Sequence, residues 1–423
     1  MLLNFKIKNF RSIKDEVVLD LQATSDKAMK ESSLIEDGNV SLLKSVAIYG
    51  SNASGKSNIM KAFVAFRVMV LESLLRGNTT TSLPSEIFKL NTDMEKKPSF
   101  FEMTFLIQNE IYSYGFEMTK QVISKEWLKQ KKGNKTLFER NEQEIKTNKN
   151  YFKESSEVLK KQTSERVLFL SVLSSNNAPL SKEIVQFVQK INYISGTNRG
   201  NTMDFAFGKF LGDPKMAEQM KKFIVEADFG IVDIEASEKM ILAKDVQNMP
   251  DKFKELFFKE GSKVAEQSLK FLHKKFNKNK EEIERESLDF FLEESEGTQQ
   301  MFALSAPILD TLENGKILFI DEIDASLHPI LCQYLISIFN SKEKNPNNAQ
   351  LVFTTHDVSL LRDDLLRRDQ IYFTEKNKFG ETELFSLSDI KERKGLDFAK
   401  RYLEGRYNAI PYISDYENLK FNK

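Results

Sequence analysis

The sequence predicts an α/β protein with a β-rich N-terminal lobe, a mixed or parallel sheet as its core and a largely helical insertion. Three observations carry this. A glycine-bounded loop, Gly50 to Ser57, stands between an apolar run (Val46, Ala47, Ile48, Tyr49) and a helical pattern (Ile59, Met60, Ala62, Phe63, Phe66). Residues 100–129 read as consecutive strands of an antiparallel meander. After residue 295 strand and helix patterns alternate, the order that builds a parallel sheet.

The first elements are strands at Leu3 to Ile7, Val17 to Leu21 and Ser45 to Tyr49, followed by a helix over 57–76. Residues 77–99 carry Gly77, Asn78, Pro84 and Pro98 and read as a surface connection. Phe100 to Ile107, Glu110 to Met118 and Lys120 to Lys129 read as an antiparallel meander. The lysine-rich stretch 129–135 reads as a solvated turn. Charged helical patterns follow through Leu168 to Leu173, Ser181 to Ile191 and 202–228, then strands at Gly230 to Ala236, Lys239 to Ala243 and Ser268 to Phe276. Lys274 to Glu284 reads as a surface hairpin. The closing part alternates helix (Thr298 to Leu312), strand (Ile317 to Ile320), helix (Pro329 to Asn340), strand (Gln350 to Phe353), helix (Ser359 to Leu366) and strand (Gln370 to Phe373). The expected organisation is 1–129 and 291–423 sharing one sheet, with 130–290 inserted between them as a mainly helical middle region.

Composition narrows the function classes. With 40% hydrophobic residues the chain can bury several cores. Lys and Arg total 62 against 62 Asp and Glu, so no global field draws the chain to nucleic acid or an anionic membrane, and such contact would need a local patch. The single cysteine, Cys332, excludes an intramolecular disulfide and a cysteine zinc cluster, and reads as a buried thiol in a reducing compartment. Met1 to Phe10 alternates as a strand does, not as a signal peptide, and no apolar run approaches the ~20 residues of a membrane helix. The expectation is a cytoplasmic protein without a membrane span.

The chemistry lies in four stretches. Gly50, Ser51, Asn52, Ala53, Ser54, Gly55, Lys56 and Ser57 satisfy G-x-x-x-x-G-K-S, followed by Asn58. In that pattern loop and helix N–H groups face phosphate oxygens, Lys56 supplies a point charge for the β and γ phosphates, and Ser57 places a hydroxyl on magnesium. The apolar strand from Ile317 ends in Asp321 and Glu322: Asp321 is expected to hold magnesium through water and Glu322 to polarise the attacking water. Another apolar strand ends in Thr354-Thr355-His356-Asp357, which sets His356 near the γ-phosphate. Finally, Glu294-Ser295-Glu296-Gly297-Thr298 opens a helix. By itself this last stretch reads equally as a helix cap and as a second anion site.

These motifs, with Asn9-Phe10-Arg11-Ser12-Ile13, Ala227-Asp228-Phe229-Gly230-Ile231, Asp321 to Pro329, Arg368 to Phe373 and Tyr402 to Pro411, together resemble a known family. The chain resembles the ABC-type (P-loop) ATPase heads of the SMC, Rad50 and RecF group, and more closely the OLD-like AAA-family ATPases of the abortive-infection (AbiLi/RloA-like) kind. The resemblance implies an ATP- and Mg2+-dependent ATPase in which Ser295 and Gly297 touch, in trans, the γ-phosphate held by another copy. A homodimer or higher homo-oligomer would sandwich the nucleotides. Asp324 and His328 fall in the interface loop, with His328 where SMC-type heads carry an aspartate. Glu296 replaces the usual second signature glycine, and the glutamine of the Q-loop has no clear counterpart, Gln108 being the one candidate. OLD-family nucleases continue into a Toprim domain, for which the stretch after His356 is too short. The resemblance therefore implies a sensor or regulator of a separate effector, a Toprim or HNH-type nuclease, in bacterial anti-phage defence. The alternatives are a DNA-repair or chromosome-maintenance head of the RecF or Rad50 type binding DNA directly, against which the absence of long heptads in 130–290 argues for the Rad50 case, and a non-hydrolysing ATP-binding module.

Overall fold

The computed structural model describes residues 1–38, 40–77, 79–227, 230–242, 262–391 and 397–407. The chain forms two compact units, one of Met1–Thr197, Thr311–Asp324 and Cys332–Lys423, the other of Asn198–Asp310 and Ala325–Leu331.

The first unit opens with β1 (Leu2–Lys8), β2 (Val17–Asp20), a one-turn helix α1 (Lys30–Ser33), a hairpin of β3 (Leu34–Asp37) and β4 (Val40–Leu43), β5 (Ser45–Gly50) and the long helix α2 (Lys56–Gly77). A meander of β6 (Ser99–Ile107), β7 (Glu110–Met118), β8 (Ile123–Gln130), β9 (Lys135–Asn141) and β10 (Glu144–Thr147) follows. Helices α3 (Glu157–Gln162), α4 (Phe169–Ser175) and α5 (Pro179–Gln189) then lead to β11 (Ile191–Ser195). In the second unit come α6 (Gly200–Gly212), α7 (Pro214–Val225), β12 (Ile231–Leu242), β13 (Lys263–Phe276), β14 (Glu282–Asp289) and most of α8 (Glu296–Glu313). The closing elements are β15 (Ile317–Asp321), α9 (Pro329–Phe339), β16 (Gln350–Thr354), β17 (Ile371–Lys376), β18 (Thr382–Ser386) and α10 (Phe398–Leu403).

Two sheets organise the first unit. One has seven antiparallel strands in the order β10-β9-β8-β7-β6-β1-β2; the other has six, β11-β15-β16-β5-β17-β18, of which only β18 runs antiparallel. Every residue of β5, β15 and β16 is buried, as expected for parallel strands covered on both faces, and this is why they read as unbroken apolar runs. Helix α2 has apolar residues around most of its circumference because it packs against strands of both sheets. Phe63 stacks on Phe319 of β15 with ring centroids 4.0 Å apart, and Phe66 stacks on Phe116 of β7 at 5.4 Å. The second unit has its own core, in which Phe271, Phe290 and Phe302 meet.

Among its described residues the middle region is not mainly helical. Residues 130–190 first extend the meander by β9 and β10, and 230–290 carry the three-stranded sheet β12-β13-β14. These strands are masked in the sequence by their charge: β14 (EIERESLD) is exposed along most of its length and needs no apolar face. The expected helix Ser359 to Leu366 is also absent. Only a 3-10 turn, Val358–Leu360, forms there, capped by the Asp357 carboxylate through the Ser359 N–H, and Leu360, Leu361 and Leu366 are buried without helical spacing. The hairpin over Lys274 to Glu284 is as expected. Of the remaining motif stretches, Asp228, Phe229 and 408–411 lie outside the described residues. Among the described residues no helix is long and apolar enough to cross a membrane.

A buried polar node joins meander and helices. Glu126, fully buried on β8, accepts from Tyr114 Oη (2.9 Å) and from the N–H groups of Phe169 (2.7 Å) and Leu170 (2.9 Å) at the start of α4, and lies 3.8 Å from the Arg140 guanidinium. Burial pushes its pKa up, against the pull of Arg140 and these donors. Glu126→Ala would strand a buried guanidinium and two helix N–H groups, so unfolding in urea should show a loss of about 3–5 kcal/mol. A loss near zero would mean that Arg140 is satisfied by its carbonyl partners alone.

Candidate functional site

Strand β5 delivers the glycine-bounded loop at the C-terminal edge of the parallel sheet, where doubly wound folds bind ligands. Ala53 has φ +63° and Gly55 φ +114°. A Cβ on Gly55 would collide with the Thr382 side chain, and one on Gly50 would lie 2.6 Å from the Thr374 carbonyl, so both glycines are required by strands β17 and β18 as well as by the turn. Those strands also brace the loop. Ser54 Oγ and Thr374 Oγ1 are 2.6 Å apart, and Thr382 Oγ1 donates to the Ser54 carbonyl (2.8 Å). The Asn9 to Ile13 stretch serves the same end: Asn58 Nδ2 donates to Ser12 Oγ (2.6 Å), and Ser12 Oγ and Thr382 Oγ1 are 2.7 Å apart.

A cavity of about 420 Å³ opens over this loop, lined by residues 52–58 together with Glu322, His356 and Lys376. Such a volume suits a small ligand. Lys56 is 5% exposed and donates to the Gly50 (2.8 Å) and Ser51 (3.2 Å) carbonyls. Behind it, Asp321 Oδ1 accepts from Ser57 Oγ (3.1 Å) and Thr354 Oγ1 (2.7 Å), while Thr354 Oγ1 takes the Glu322 N–H (2.7 Å). Glu322 itself has φ +58°, an uncommon conformation for a side-chain-bearing residue. The Asp324 carboxylate accepts from the His356 N–H at 3.1 Å.

The structure thus brings together Lys56, Ser57, Asp321, Glu322 and His356 from two strand ends and one helix start. Ser295 and Gly297 belong to the second unit. There Ser295 Oγ caps α8 by accepting from the Thr298 N–H (3.1 Å), Glu296 pairs with Arg199 (3.1 Å), and a Cβ on Gly297 would stand 3.1 Å from the Ser326 carbonyl. His328 is exposed and its Nδ1 accepts from the Ile330 N–H (3.3 Å). Gln108 is not a site residue: it sits at the β6–β7 turn with φ +48° and donates to Glu183. Cys332 is buried, its thiol pushed up to about 12 by burial. Sequence reasoning missed the bracing role of Thr374 and Thr382, the link through Thr354, and Lys376. The partners of Thr374 and Thr382 lie hundreds of positions away and those of Thr354 about thirty, so no local pattern marks them.

The sequence family described as “AAA domain, putative AbiEii toxin, Type IV TA system” matches residues 45–362, from β5 through the strand that ends at Thr354. The chain belongs to this family. Solved structures similar to this AAA domain include the SMC head domain from Thermotoga maritima, at 12% identity over 92% of this chain and 99% of that one, with a TM-score of 0.42. The recombination mediator protein RecF-ATPrS of the RecFOR pathway is similar at 14% identity over 91% and 98%, TM-score 0.38. RecF-ATP of the same pathway gives 14% over 91% and 99%, TM-score 0.37. No curated protein matches. At these scores the solved structures add no weight, and the fold of this AAA domain stands on its own strand order and family membership.

The electrostatics of the AAA domain's cavity follow from burial and crowding. Desolvation lowers the Lys56 pKa to about 8, although Glu322, Asp321 and Asp324 pull it up. His356 is also lowered, first by burial and then by Lys56, so its imidazole is neutral at neutral pH. For a cation, Ser57 and Asp321 offer one hydroxyl and one carboxylate, leaving other positions to water and phosphate oxygens, which is the donor set magnesium accepts in nucleotide sites. Because the folded Lys56 releases its proton earlier than the usual 10.5, its buried charge weakens the fold below about pH 8 and that penalty is relieved as pH rises toward 10.5. Only the charged form pairs with phosphate. Calorimetric binding of a non-hydrolysable ATP analogue should therefore weaken from about pH 7 to about pH 9.5, with proton uptake on binding near pH 8.5. Affinity flat across that range would remove Lys56 from the contact.

Proposed function

We propose that this chain binds and hydrolyses ATP with Mg2+ as one head of a homo-oligomer, and regulates a separate effector in cytoplasmic anti-phage defence. The observation that carries the reading is the convergence of Lys56, Ser57, Glu322 and His356 on one cavity, with Asp321 set directly behind Ser57.

Residues 52–58 hold the phosphates through backbone N–H groups and the start of α2, and Lys56 exchanges its loop carbonyls for phosphate oxygens. Ser57 and Asp321 would hold magnesium, which supplies charge neutralisation on the phosphate oxygens when bound. Glu322 accepts hydrogen bonds from the attacking water and takes its proton. The neutral imidazole of His356 donates a hydrogen bond toward the γ-phosphate. Thr354 keeps Asp321 and the Glu322 backbone in register through two hydrogen bonds. The α8 start of a second copy, with its Ser295 and Gly297, completes the γ-phosphate side, and Asp324 and His328 lie in the loop beside that interface. Support for a defence role comes from the family description, which names a toxin of a type IV toxin–antitoxin system.

Two variants test the reading. Glu322→Gln should bind ATP, lose about 10²-fold or more in turnover, and accumulate as an ATP-dependent dimer in light scattering. Lys56→Ala should lose nucleotide binding. A wild-type chain with no magnesium-dependent turnover, alone or with nucleic acid, would sink the hydrolase reading; a Glu322→Gln protein that stays monomeric with ATP would sink the shared-site reading. In a native host, plaque counts should rise when Glu322→Gln replaces the wild type, and unchanged counts would remove the defence role.

A further inference from the structure

A second chamber lies in the first unit at the opposite end of β5 from the nucleotide loop. It encloses about 830 Å³ between α1, the β3–β4 hairpin, the residue entering β5 and the segment joining α9 to β16. Lys44, which enters β5, lines it and is 2% exposed. Its backbone is fixed on both sides, with its N–H donating to Ser33 O (3.0 Å) and its carbonyl accepting from Leu351 N (2.8 Å). Its ammonium group, however, has no hydrogen bond or ion pair to any described residue, and the only influences on it are burial and the neighbouring Lys342, both of which lower its pKa.

The stem of Lys44 is buried while its ammonium keeps contact with the water of the chamber, as lysine tips do, and no protein acceptor meets it there. The other charges in the chamber do not compensate it. Lys30 and Glu36 are bonded to each other at 3.3 Å, and Glu31 is exposed. Lys342 is exposed and likewise has no acceptor among the described residues. Leu34, Ile35 and Pro346 add apolar wall. We propose that this chamber binds a small anionic ligand, a phosphate- or carboxylate-bearing molecule, whose acid group is held between Lys44 and Lys342 and whose body lies against Leu34, Ile35 and Pro346. The site is separate from the nucleotide cavity, shares no lining residue with it and does not depend on ATP hydrolysis.

Thermal unfolding of the full chain tests this, with inorganic phosphate or succinate replacing chloride at constant ionic strength. A ligand that binds only the folded state raises the melting temperature. At least one of the two anions should raise it by about 2 °C in the wild type and in Lys56→Ala, in which the nucleotide loop is disabled, and the anion that does so identifies the acid group. Lys44→Gln and Lys342→Gln should each lose the rise; if Lys44→Gln fails to fold, the exposed Lys342 position carries the test. A rise lost only in Lys56→Ala, a rise retained in Lys342→Gln and Lys44→Gln, or no rise with either anion would overturn the proposal.

Discussion

The Asp321 carboxylate holds the site together. Its Oδ1 receives two hydroxyl protons, from Thr354 at the end of β16 and from Ser57 in the first turn of α2, so three elements from distant parts of the chain meet on one oxygen. Thr354 then accepts the Glu322 N–H with the same hydroxyl, which fixes the chain where Glu322 turns into the left-handed region. Buried hydrogen bonds of this kind are costly to leave unmade. The acidic strand end, the phosphate loop and the histidine strand are consequently held in one register, and displacing any of them would strand a polar group in the others.

That register depends on β5 running in the interior of a parallel sheet between β16 and β17. The parallel order puts the C-terminal ends of β15, β16 and β5 on one edge, and the side chains that follow them converge there. Helix α2 is then clamped between this sheet and the antiparallel one through Phe63 and Phe66, which orients its N-terminus at the cavity. The loop does not carry its own conformation. Thr374, Thr382 and Ser12 hydroxyls surround it and leave no room for side chains at Gly50 and Gly55.

A chain with zero net charge concentrates its charge locally. Around the nucleotide cavity Lys56 lies near Asp321, Glu322 and Asp324, and desolvation still lowers its pKa, which leaves the lysine poised for a phosphate partner. At the other end of β5, Lys44 is buried without any such carboxylates. The segments that enter and follow this one strand thus carry a lysine whose charge nearby carboxylates offset in part and a lysine with no carboxylate partner.

Local pattern was enough to reveal the strand–loop–helix at Gly50 to Ser57, the acidic strand end at Asp321 and Glu322, the strand leading to His356 and the cap at Ser295. Each is encoded by contiguous residues whose apolar run, glycine spacing or capping chemistry acts within one turn. The extent of the meander, the three-stranded sheet of the second unit and the missing helix after His356 were not legible. Their strands carry charge on exposed faces, and after Asp357 the leucines Leu360, Leu361 and Leu366 are buried without helical spacing. Tertiary structure alone decided that Thr374, Thr382 and Ser12 brace the phosphate loop, that Thr354 joins Asp321 to Glu322, and that Lys44 is buried without an acceptor. These are contacts between residues tens to hundreds of positions apart, and only the closing of the sheet around β5 brings them within hydrogen-bonding reach.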